Sequence, residues 1–133
     1  MRREFQLPER DVKFLDSTGR PWETIGLPGK RYVLIHGYPV PSGYNIPEVI
    51  TALKIDPGYD DAQIDMAYFF PALVRQDGKT INNLTHETID GQIYQRWSRH
   101  RTPANPWRPG EDYIGSHMAL VDDWLEREFR LKP

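Results

Sequence analysis

The segment that most restricts the fold of this chain is its last one. Between Glu111 and Arg130 the apolar residues Ile114, Met118, Val121 and Leu125 recur on one helical face, with Trp124 beside them. A helix with a single apolar stripe must lay it against another layer. The patterned segments before it are mostly extended. Arg31–His36 is β-branched and apolar, Ile50–Ile55 and Ile64–Phe70 repeat that character, and Trp22–Ile25 is a shorter candidate strand. Turn residues separate them: Gly26-Leu27-Pro28-Gly29, Asp56-Pro57-Gly58-Tyr59, Pro71 and Gln76-Asp77-Gly78-Lys79.

Around this frame, Leu7–Leu15 predicts a short helix, with Pro8 in a first-turn position and Val12 and Leu15 on one stripe. Gly37–Asn45 is too rich in Gly and Pro for a regular helix and predicts an ordered loop with packed tyrosines. Thr88–Arg99 reads as helix or as extended chain, and Thr102–Gly110 as a proline-rich loop carrying Trp107. The expected fold class is α+β: an N-terminal helix, a four-stranded antiparallel meander, an irregular stretch and a long C-terminal helix, in one domain over 1–133.

Composition narrows the chemistry. A net charge of −2 over 133 residues gives no bulk attraction for nucleic acid or membrane, and no run approaches the ~18 apolar residues of a span. With no apolar core after Met1-Arg2-Arg3-Glu4-Phe5, the expectation is a cytoplasmic protein. There is no cysteine, hence no disulfide, no thiolate nucleophile and no cysteine zinc site. His36 and His117 stand alone at spacings that match no metal motif, so neither metal nor cofactor is expected.

Several short motifs, in order, resemble the ubiquitin-conjugating fold. Leu53-Lys54-Ile55-Asp56-Pro57-Gly58-Tyr59 is similar to the end of that family's third strand, with a shorter spacer and Asp60 where a second proline is usual. Ile64–Phe70 falls where its fourth strand would be, Asp77-Gly78-Lys79-Thr80-Ile81 is similar to the turn entering its active site, and Trp97-Ser98 to its tryptophan-serine pair. Tyr94–His100 and the Gly37–Asn45 loop most resemble divergent bacterial members. The resemblance implies an activating-enzyme-like protein and a ubiquitin-like protein as partners, with a modifier-removing peptidase in the same operon. It also implies transfer of the modifier as an acyl group, normally on a cysteine.

Here the chain departs from the family. Its His-Pro-Asn motif is missing, and Phe70-Pro71-Ala72 stands nearby. Set by the glycine turn, the cysteine position falls on Asn82 or Asn83; set by Trp97, it falls within Thr88–Gly91. Acyl transfer without cysteine needs a Ser or Thr, a base and oxyanion donors. Ser98 has the best company, with His100 two residues on and Arg96 and Arg99 around it. In an extended backbone Ser98 and His100 share a face; in a helix they do not. In this reading Ser98 carries the acyl group, His100 moves the proton, Arg96 and Arg99 stabilise charge or orient the tail, and Asn82 donates an amide to the oxyanion. Trp97 and His86 complete the candidate binding set.

Plainer readings stand beside these. Ser98 can be a local hydrogen-bonding residue, Trp97 a core residue, His100 a surface histidine and the Arg96–Arg101 cluster a solvated face. Thr85-His86-Glu87 can open a helix. Two other functional classes remain: a non-catalytic scaffold that binds the activating enzyme or the modifier, and a nucleic-acid module built on the Arg/Trp stretch.

Overall fold

A computed structural model describes residues 1–133. Helix α1 (Glu9–Ser17) precedes β1 (Trp22–Leu27), β2 (Lys30–Pro39), β3 (Glu48–Lys54) and β4 (Ala67–Phe70). A hairpin, β5 (Leu84–Ile89) and β6 (Gln92–Trp97), follows, and α2 (Ile114–Leu131) closes the fold. The α+β reading holds, with both helices and all four meander strands in the expected order. The sheet is larger than expected, because the ambiguous stretch pairs into it: six antiparallel strands in the order β1-β2-β3-β4-β6-β5. Asp90 and Gly91 make the two-residue hairpin turn, both with positive φ (52° and 79°), the backbone such a turn requires.

Local chemistry sets the ends of elements. Fourth-strand pairing begins only at Ala67, because Met66 has φ +59° and breaks the extended run. Strand β2 runs on into the expected loop with a register shift between Ile35 and Tyr38, at Gly37 (φ +62°). Tyr38 and Tyr44 are buried, as the loop reading expected. Helix α2 starts at Ile114, whose N–H donates to Asp11 Oδ1 at 2.8 Å, while Tyr59 donates its hydroxyl to the same oxygen at 2.8 Å. Burial pushes the Asp11 carboxyl up, so one inward acid on α1 ties both helices to the loop after β3.

The two faces of the sheet are filled differently. Odd-numbered positions such as Val33, Ile35, Phe69 and Trp97 meet Ile114, Met118, Val121 and Leu125 of α2 in the larger core. Even-numbered positions, Tyr32, Leu34, Tyr68 and Tyr94, form a second cluster with Ile25 and Ile89, with no helix above it. The β5–β6 hairpin bends back instead. Glu87 accepts the Tyr32 hydroxyl and pairs with Lys54 at 3.2 Å, and Arg2 bridges Glu23 and Asp90 at 2.9 and 2.7 Å. A polar lid on a curled sheet covers this face.

Candidate functional site

The site is built outward from Trp97, the last residue of β6. Its ring is 0% exposed and stands edge-on to Phe69 (5.5 Å) and Tyr44 (6.2 Å). Its Nε1 donates to Gln95 Oε1 at 2.9 Å, and Gln95 in turn holds both the N–H and the carbonyl of Leu73 at 3.0 Å. This network fixes the end of β6 under the stretch that follows Pro71. One residue on, the Ser98 N–H donates to the Asn83 carbonyl at 3.1 Å.

The chain then turns toward α2. Arg99 donates to the Asn82 carbonyl at 3.0 Å and pairs with Glu128 at 3.0 Å, its guanidinium 4.8 Å from the Trp97 ring centre. Between the Asn82-Asn83 segment, Arg99-His100 and the last turns of α2 lies an open groove of about 280 Å³. Arg127 and Lys132 join Arg99 there, against Glu128 as the one carboxylate. Arg127 is exposed; the Lys132 amine donates to the Thr80 carbonyl at 2.7 Å. Buried Arg75 fixes the helix end by donating to the carbonyls of Glu128 (3.0 Å) and Lys132 (2.6 Å). An excess of cations beside two side-chain amides suits a carboxylate or an extended peptide end.

The expected site residues are distributed as follows. Asn82, Arg99 and His100 come together on the groove. Ser98 is half-buried beside them, but does not line it. His100 does not meet Ser98; its Nδ1 lies 3.0 and 3.1 Å from the two oxygens of Asp65. A carboxylate only accepts, so Nδ1 carries the proton and Nε2 is left open. Trp97 lies beneath the groove as a core residue. Arg96 leaves for the other face, where it bonds Thr85 Oγ1 at 2.7 Å and approaches Glu87 at 3.7 Å. His86 sits exposed in mid-β5. Arg101 turns inward against Trp107, 4.9 Å from its ring centre. The three arginines of the basic run thus point to three separate places.

Sequence reasoning missed Arg127, on the polar side of α2, Lys132, just past its end, and Asp65, which orients His100. It also left His117 isolated. That ring is fully buried, Nε2 donating to the Met66 carbonyl at 2.8 Å, and burial holds its pKa down at about 4. It secures the turn that carries Asp65. No cluster of His, Asp and Glu is arranged to hold a metal ion, and no helix is long and apolar enough to cross a membrane.

A helix, an antiparallel meander, an irregular link past a glycine turn and a closing helix over one sheet face define a ubiquitin-conjugating-type fold. The model of Prokaryotic E2 family E matches residues 7–128, and the chain belongs to that family. Its general role is therefore conjugating-enzyme-like. Searches of curated proteins and of solved structures return no match.

Proposed function

We propose that this chain is a non-catalytic conjugating-like scaffold in a bacterial cytoplasmic modification pathway that also uses an activating-enzyme-like protein, and that it binds the free ubiquitin-like modifier by its C-terminal tail without bonding to it. A modifier-removing peptidase would act in the same pathway. The observation that carries the reading is the groove itself. On the register set by the glycine turn, the position of the fold's nucleophile carries two asparagines, Asn82 and Asn83, in place of a thiol, and both line the groove. Asparagine amides do not carry acyl groups, but they donate hydrogen bonds to a peptide end. Arg99, Arg127 and Lys132 supply charge for a terminal carboxylate.

A second reading keeps the acyl transfer, and one observation favours it: Asp65 holds His100 with Nε2 free, the geometry of an oriented base. Ser98 Oγ would attack the carbonyl of the modifier's thioester on the activating enzyme. His100 Nε2 would take the hydroxyl proton and return it to the departing thiolate, leaving an oxyester on Ser98. This requires the Ser98–His100 segment to shift, since the two side chains are not hydrogen-bonded and His100 is held by Asp65.

Intact-mass measurement with the activating enzyme, ATP and the ubiquitin-like protein separates the two. The expected result is a 1:1 complex on gel filtration with no added mass on the chain. A hydroxylamine-labile adduct that Ser98→Ala abolishes would overturn the non-covalent reading in favour of the second.

A further inference from the structure

The two edges of the sheet are treated differently. The outer edge of β1 is covered by the chain's own start: Thr24 N–H donates to the Arg2 carbonyl at 3.1 Å, and Glu4 N–H to the Thr24 carbonyl at 2.9 Å. At the other end, β5 has β6 as its only strand neighbour. The Asp90-Gly91 turn decides which backbone groups of β5 are used. Ile89 and Gln92 flank it as a hydrogen-bonded pair, so Glu87 with Tyr94 and Thr85 with Arg96 are the next such pairs. The Ser98–Asn83 bond continues the same phase. The N–H and C=O groups of Leu84, His86 and Thr88 therefore point outward, with no partner in the chain.

That edge is lightly protected. Thr85, His86 and Thr88 are exposed, β5 contains no proline, no lysine and no bulge, and its one charged residue, Glu87, is engaged by Tyr32 and Lys54. Its first residue, Leu84, follows directly from Asn82 and Asn83 at the groove.

We propose that β5 accepts an extended peptide as a seventh strand, running antiparallel to it, and that this peptide is the C-terminal tail of the ubiquitin-like modifier. The assignment of the occupant rests on the function proposed above. The direction follows from charge: Arg99, Arg127 and Lys132 lie at the start of β5, so a strand whose carboxylate ends there runs opposite to β5. Antiparallel pairing lets Leu84, His86 and Thr88 each exchange two hydrogen bonds over ~14 Å of chain. Main-chain bonds then supply the affinity, and the groove reads the end.

His86→Pro deletes one outward N–H and leaves the β5–β6 ladder intact, whereas His86→Ala keeps that N–H. With the ubiquitin-like protein as probe, the proline variant binds at least tenfold more weakly and the alanine variant within twofold of wild type. Amide exchange at Leu84, His86 and Thr88 slows in the complex. If the modifier binds, the proline variant binds equally well and the three amides stay fast, the edge proposal is overturned while the functional reading survives. If the modifier does not bind at all, the functional reading fails, and a synthetic Val-Thr-Val-Thr-Gly-Gly peptide with a free carboxylate tests the edge alone: slowed exchange at those amides sustains it, unchanged exchange overturns it. A free chain that sediments as a dimer with the same amides already protected assigns the edge to a second copy and overturns the modifier proposal.

Discussion

The helix-covered face and the lidded face of this sheet both bury aromatic residues, six in the larger cluster and three in the smaller, and hold them in different ways. On the first, Trp97, Phe69 and Tyr44 pack edge-on beneath α2, and packing is supplemented by the Tyr44 hydroxyl donating to the Leu125 carbonyl at 2.6 Å. On the second, Tyr32 and Tyr68 lie under a lid of Glu87, Lys54 and Arg96, and hydrogen bonds and charge hold it down. The difference shows why the groove formed where it did. A helix above an apolar layer leaves a seam where its polar side meets the loops, and the groove lies in that seam.

The contrast is broken most directly at Trp97. Replacing a fully buried Trp by Ala removes packing on the helix face and should cost ~3–5 kcal/mol in a denaturant melt; a loss under ~1 kcal/mol would mean that α2 is not held by that ring. His117 gives the next largest effect. Its folded pKa of about 4 lies below the ordinary 6.5, so the unfolded chain binds the extra proton first as pH falls. The stability is fully present above pH 6.5 and is lost between 6.5 and 4, by ~3 kcal/mol. His117→Gln, which keeps a donor for Met66, should flatten that part of the pH–stability curve. A curve as steep as wild type would assign the titration elsewhere.

Functional separation comes next. Arg99→Ala should weaken modifier binding about tenfold, or ~1.4 kcal/mol, while Arg96→Ala, on the other face, leaves it unchanged. Calorimetric titration of both variants checks this, and equal losses would erase the distinction between the faces. The smallest effect belongs to the lid. Tyr32→Phe removes the hydroxyl held by Glu87 and should cost ~1 kcal/mol, since Lys54 remains to pair the carboxylate.

Much of the frame was legible because periodicity is local. The α2 stripe and the strands β2 and β3 announce themselves within ten residues of sequence. The hairpin did not, because Thr88–Arg99 mixes polar and aromatic residues without a clean period. The signal was the Asp90-Gly91 pair, which suits a two-residue hairpin turn and forces the chain back on itself. The site divided along the same line. Asn82, Arg99 and His100 lie close in sequence to its landmarks and come together at the groove. Arg96 went to the far face because strand alternation overrides the look of a basic run. Arg127, Lys132 and Asp65 join from other segments of the chain, and a polar helix face in sequence looks the same whether it meets water or a loop.

The buried Arg75 gives the groove one more property. Terminal helical turns usually fray, because their last carbonyls lack partners. Here one guanidinium clamps two of them to the loop after β4, so the wall bearing Arg127 and Lys132 keeps its shape before any guest arrives. On the function proposed above, capture would require ordering the incoming tail alone, since the receiving side has lost its disorder during folding.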